Sequence, residues 1–102
     1  MNLKINSIHF NADQKLEDFI TDKVSKLSQY GEDLISSDVT LSLERSAGRN
    51  YDSKVVKVKV KSKNYEYFAE KKSESFESAT DASVEALRNQ IIKRKEKNMK
   101  KN

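Results

Sequence analysis

The sequence predicts an α+β fold: a two-layer β-α-β-β-β-α domain in which two helices cover one face of a four-stranded mixed sheet. Three features predict it. The stretch KVVKVKVKSK sets Val56, Val58 and Val60 on one side and Lys57, Lys59 and Lys61 on the other, which is the period of a half-buried strand. Two longer segments carry residues at helical spacing: Leu16, Phe19, Ile20, Val24 and Leu27, then Phe76, Thr80, Ser83, Val84, Leu87 and Ile91. A sheet with one polar face and helices with one apolar stripe can bury their apolar sides only against each other.

In chain order, Leu3 to Phe10 reads as a first strand whose alternation slips after Ile5. Asn11 then offers an N-cap, with Gln14 three residues later placed to reach back to it, so the first helix is expected to start there. It should stop near Tyr30 and Gly31, the glycine supplying a left-handed C-terminal residue. Val39 to Leu43 alternates strictly and predicts the second strand, placed parallel to the first by a right-handed crossover. Glu44 to Asn50 reads as a long hairpin connection into the lysine-valine strand. After a turn at Lys63 and Asn64, Tyr65 to Glu70 predicts a fourth strand. Ser75 can cap the last helix, and with no proline in the chain that helix is free to run past Ile91.

A chain of 102 residues suits one domain with a modest core. Without cysteine there is neither a disulfide framework nor a thiolate zinc site. No apolar run approaches the ~20 residues that span a bilayer, and MNLKINSIHF lacks the apolar centre of a signal peptide, so a cytoplasmic protein is expected. His9, on the first strand, is the sole histidine and cannot build a His-based metal cage or a paired proton shuttle. The carboxylates Asp13, Glu17, Asp18 and Asp22 lie on the polar side of the first helix, where none meets the apolar pocket that a catalytic acid needs. The residues read as those of a binding protein, not an enzyme, with no cofactor and no metal.

Charge narrows the class of partner. From Arg88 to Lys101 there are seven basic residues and one acidic residue, a segment of +6 beside a remainder of −2. One or two cations suffice to complement a helix C-terminus; seven favour a polyanion, the alternative being a merely solvated helix end. Helical geometry places Lys93, Lys97 and Lys100 on one flank and Arg88 and Lys95 on the other. Arg94 falls on the inner stripe, expected one turn beyond the sheet, and Lys23 and Lys26 share a flank of the first helix. The lysine face of the third strand reads as ordinary solubility. Tyr65 and Tyr67 read as core or edge packing, which favours phosphate and shape recognition over base readout.

The residues also carry a resemblance. Leu16, Phe19-Ile20, Lys23-Val24, Lys26-Leu27 and Tyr30 recur at family spacing in the first helix, and Val39-Thr40-Leu41 in the second strand. Most specific is Ser78-Ala79-Thr80-Asp81 followed by Val84, Leu87-Arg88, Gln90-Ile91, Lys93 and Lys95. Over essentially its whole length the chain resembles the short form of the bacterial ribosome hibernation-promoting factor and ribosome-associated translation inhibitor family (sigma-54 modulation proteins). It differs at Ser75, Glu77 and Ala86, where the family prefers Asp, an aromatic and Lys.

The resemblance implies a single ribosome-binding domain over 1–97 with a basic tail over 98–102. It implies a protein that lodges in the small subunit between head and body, over the decoding region, and contacts rRNA there. Blocking the mRNA and tRNA sites would inhibit translation and hold ribosomes inactive under starvation or cold. The matched contacts are Lys23, Lys26, Arg88, Gln90, Lys93 and Lys95, with Arg94, Lys97 and Lys100 extending the surface. The expected partner is the small ribosomal subunit and its rRNA, met by a monomer with no membrane and no small-molecule substrate. A general double-stranded RNA-binding module is the alternative. Such modules begin with a helix and carry a KKxAKxxAA-like start on the last one, which Ser75 to Asp81 lacks.

Overall fold

The computed structural model describes residues 1–45 and 53–99, with side chains described as far as Lys97. The element order is β1 (Asn2–Ser7), α1 (Gln14–Ser25), a 3-10 turn (Lys26–Gln29), β2 (Leu34–Glu44), β3 (Ser53–Ser62), β4 (Glu66–Ser73) and α2 (Phe76–Met99). The strands form one sheet in the order β1-β2-β3-β4. β1 is parallel to β2, and the other two pairs are antiparallel. This is the mixed two-layer sheet that the alternation predicted. Of the expected connection over 44–50, residues 46–50 lie outside the described residues.

The alternation of β3 becomes the core through register. Val58 stands between Val39 and Ala69, and Val60 pairs with Tyr67. Together with Leu41 and Val56 they meet Ile20, Val24, Leu27, Phe76, Ala79, Leu87 and Ile91, all 9% exposed or less. Each fully buried aliphatic contributes about 1.5–3 kcal/mol relative to exposure. Thr80 and Ser83 are buried where α2 crosses the sheet, and the Ser83 hydroxyl points its bond at the Val56 carbonyl, 3.5 Å away. Small side chains at these two positions let the helix approach closely.

On the opposite face two lysines, one from β3 and one from β4, are paired with carboxylates. Lys57 lies 3.9 Å from Glu70, Lys72 lies 2.8 Å from Glu44, and Lys59 faces Asp38 across the ladder. Cross-strand pairing of opposite charge is the ordinary way a solvated sheet face is stabilised.

Three local expectations are corrected. β1 ends at Ser7, and His9 sits beyond it in a bend with φ 66°. That left-handed residue turns the chain so that Phe10 stacks on Phe76, centroids 5.1 Å apart. The cap of α1 is Asp13, whose carboxylate accepts from the Leu16 amide at 2.8 Å. Asn11 lies too early for this, and Gln14 donates forward to Asp18 instead. Gly31 has no left-handed φ; the space beside it is tight instead, since a Cβ there would stand 3.3 Å from the Ile91 methyl. Ser75 caps α2 as expected, accepting from the Ser78 amide at 3.1 Å.

Candidate nucleic-acid interface

The two helices run in the same direction, and three contacts fix their register. Lys23 meets Asp81, Tyr30 meets Arg88, and Gly31 meets Ile91. The chain leaves the helix layer at Gly31, but α2 continues to Met99. The last two turns of α2 thus extend past the end of its neighbour, and those turns carry Lys93, Arg94, Lys95 and Lys97. From Asp81 to Lys93 the rise along the helix is about 18 Å. Lys23 and Arg88 therefore line the α1 side of α2, Gln90, Lys93 and Lys97 its β4 side, and the charge is densest at the projecting end.

The cations of this surface differ in what holds them. Lys23 is paired with Asp81 at 3.6 Å and lies over Phe19. Lys26 is paired with Asp22 at 3.4 Å. Both pairs are well exposed, so each is worth only ~0–1 kcal/mol and a phosphate can replace the carboxylate. Arg88 packs over the Tyr30 ring, 5.3 Å from its centroid. Lys93, Lys95 and Lys97 are exposed, and among the described residues none has a carboxylate partner. What singles out the end of α2 is density, since these three ammonium groups and Arg94 fall within five consecutive residues.

Gln90 and Arg94 do more than project. The Gln90 side-chain amide donates to the Phe68 carbonyl at 3.0 Å, tying α2 to the edge strand and satisfying a carbonyl that would otherwise invite another strand. Arg94 is not beyond the sheet: it is half-buried over Tyr65, with the guanidinium carbon 4.0 Å from the ring centroid. Tyr65 stands one residue before β4, so it escapes the strand's alternation and is 44% exposed, whereas Tyr67 is core. Tyr67 is thus core packing, and Tyr65 edge packing with one side open to solvent. Lys100 lies outside the described residues.

Two further tyrosine contacts shape the surface. The Tyr65 and Tyr67 rings are 4.9 Å apart and tilted by 54°. Burial, and next the nearby Asp33 carboxylate, push the Tyr67 phenol above its ordinary value, against a smaller opposing effect of Arg94. Sequence spacing could not reveal Tyr30 and Tyr65 as seats for Arg88 and Arg94, because each pair joins residues of different elements. Asp81 was visible as part of the Ser78-Ala79-Thr80-Asp81 run, but not as a partner of Lys23. Among the described residues no cluster of His, Asp or Glu could hold a metal ion, and no helix is long and apolar enough to cross a membrane.

Fold and surface together define a class: a two-layer domain of about a hundred residues that presents cations on two parallel helices, one of them overhanging. Residues 3–99 match the model of one family. The chain belongs to the Sigma 54 modulation protein / S30EA ribosomal protein family, a ribosome-associated family. Among solved structures it is similar to the N-terminal domain of Protein Y from Thermus thermophilus. The TM-score is 0.76 at 20% identity, covering 91% of this chain and 98% of that one. It is also similar to a ribosomal subunit interface protein from Coxiella burnetii, with a TM-score of 0.81 at 15% identity, covering 93% of this chain and 98% of that one. At these identities the likeness is one of fold. No curated protein sequence is significantly similar to the chain.

Proposed function

We propose that the protein is a cytoplasmic ribosome hibernation factor that binds small-subunit rRNA near the decoding channel, blocks the mRNA and tRNA sites and inhibits translation. The observation that carries this reading is the overhanging end of α2, which gathers Lys93, Lys95 and Lys97 within two turns, none with a carboxylate partner among the described residues. Unneutralised ammonium groups on a rigid helix release counterions from a phosphate backbone when they bind it. Family membership supplies the ribosome as the source of that backbone, and the printed names of the two structural neighbours agree with it.

In this reading Arg88, Lys93, Arg94, Lys95 and Lys97 contact phosphates from α2, joined by Lys100 after it, and Lys23 and Lys26 do so from α1 and the turn that follows it. Gln90 holds α2 against β4 and reaches the RNA only at its exposed edge. Binding needs no cofactor, since the chemistry is charge and shape. The single domain acts as a monomer under starvation or cold.

Sedimentation with isolated ribosomal subunits tests the reading. The protein should travel with small subunits and not with large ones, and added mRNA analogue should lose access to the channel it occupies. Equal partition onto both subunits, or onto any double-stranded RNA, would favour the general RNA-binding module instead.

A further inference from the structure

Arg94 separates two grooves. The larger, about 440 Å³, is lined by Tyr30, Gly31, Asp33, Tyr65, Tyr67 and Arg94. The smaller, about 250 Å³, lies on the other side of Arg94 against Tyr65, Gln90, Lys93 and Lys97. Lys95 borders the larger one. A volume of this order suits a small planar ligand, and its walls are of mixed character: aromatic rings, a guanidinium, a phenol and two carboxylates, Glu32 and Asp33, of which Asp33 is the one that acts on the Tyr67 phenol. Phosphate binding alone has no use for a carboxylate at Asp33.

We propose that the larger groove receives one splayed guanine base of the bound polynucleotide, stacked on the Tyr65–Arg94 platform, with the Asp33 carboxylate accepting from its Watson–Crick edge. The inference rests on the reading of the protein as an RNA binder and adds base selection to it. Unstacked bases are commonly held on aromatic and guanidinium planes. Guanine presents two adjacent donors, N1–H and the N2 amino group, which match the two oxygens of one carboxylate. Adenine and cytosine set a ring-nitrogen acceptor beside their amino group, and uracil flanks its single N–H with carbonyls, so each would turn a lone pair toward Asp33. The Tyr67 phenol, already protonated at neutral pH with an ordinary value of 10.0 and raised further by burial and then by Asp33, can donate to guanine O6.

Position agrees with chemistry. The backbone carbonyl of Asp33 accepts from the Lys63 amide at 3.0 Å, which braces the turn carrying the carboxylate against the β3–β4 turn. Lys95 on one side of Arg94 and Lys93 with Lys97 on the other stand where the phosphates flanking a bound base would run.

The test is an amide-resolved NMR titration of the whole protein with the four nucleoside 5′-monophosphates and with inorganic phosphate. Guanosine monophosphate should shift the amides of Gly31, Asp33 and Tyr65 and bind about tenfold more tightly than the other three, whereas phosphate should move only the lysine-bearing turns of α2. Asp33→Asn should abolish the preference for guanine. Tyr65→Ala should weaken binding about tenfold or more, and Tyr65→Phe, which keeps the ring, should restore it. Equal shifts from all four nucleotides and from phosphate would overturn the proposal. Selection of guanosine by a protein that ignores small subunits would uphold the groove and sink the ribosomal assignment. Co-sedimentation without base preference would do the reverse.

Discussion

Arg94 lies over the ring of Tyr65, its guanidinium carbon 4.0 Å from the centroid, and this contact pins the overhanging end of α2 to the turn before β4. A helix end that carries Lys93, Lys95 and Lys97 repels itself, and without an anchor its last turns would fray. The stack lets the charge remain concentrated on an ordered surface. Half-buried cation–π pairs contribute about 0.5–2 kcal/mol. Arg94→Ala and Tyr65→Ala should each destabilise by that order and couple in a double-mutant cycle. Hydrogen exchange at Lys95 to Met99 should accelerate in both variants, and additivity of the two would show that the contact is not an anchor.

The core should answer to volume. Leu87 is fully buried between sheet and helix layer, so Leu87→Ala should cost ~2–5 kcal/mol in urea unfolding. Ile20→Val, a smaller truncation at an equally buried site, should cost about 0.5–1.5 kcal/mol.

Gly31 is a question of space. A Cβ would meet the Ile91 methyl at 3.3 Å, which Ile91 can relieve with a small shift. Gly31→Ala should therefore stay within about 1 kcal/mol of the parent, because the stiffer unfolded chain offsets the crowding. Gly31→Val adds two methyls to the same gap and should cost ~1–3 kcal/mol. Equal costs for the two would mean that backbone conformation, not Ile91, selects glycine.

Alkaline pH should unfold the protein sooner than acid-base behaviour of a free chain implies. Tyr67 has a raised pKa, chiefly through burial and then through Asp33. The native state thus holds its proton more tightly than the unfolded state, whose value is near 10.0. This stability is fully present below pH ~10 and is lost as pH rises toward the folded value. Lys72, raised by its bond to Glu44, acts in the same direction. Tyr67→Phe should flatten the fall in Tm above pH ~10, and a slope unchanged by that variant would remove Tyr67 as its source.

Much of this was legible because periodicity is a local signal. The alternation of Val56, Val58 and Val60 and the helical spacing of Ile20, Val24 and Leu27 need no distant partner to be read, and each became core. The errors fall where a residue's role is set from elsewhere in the chain. The first strand stops short because Phe10 must reach Phe76, and the space beside Gly31 is tightened by Ile91, sixty residues on. Seven cations at one end could be counted, but which of them are matched could not. Asp81 neutralises Lys23 from the other helix, and Arg94 finds Tyr65 across a turn.

The central claim is that the unmatched cations at the end of α2 form one surface that RNA recognises as a unit. Arg88, Lys93 and Lys95, replaced together by glutamine, should leave Tm within a few degrees of the parent, since none of their side chains belongs to the core. Replacing Lys57, Lys59 and Lys61 on the outer sheet face serves as the control. In a salt series, binding of the parent to small subunits should fall about a thousandfold between ~50 and ~200 mM, as expected if about six phosphates are contacted. The helix variant should bind far more weakly with a shallower slope, and the sheet variant should match the parent. A folded helix variant that binds like the parent, or a sheet variant that loses binding instead, would contradict the account.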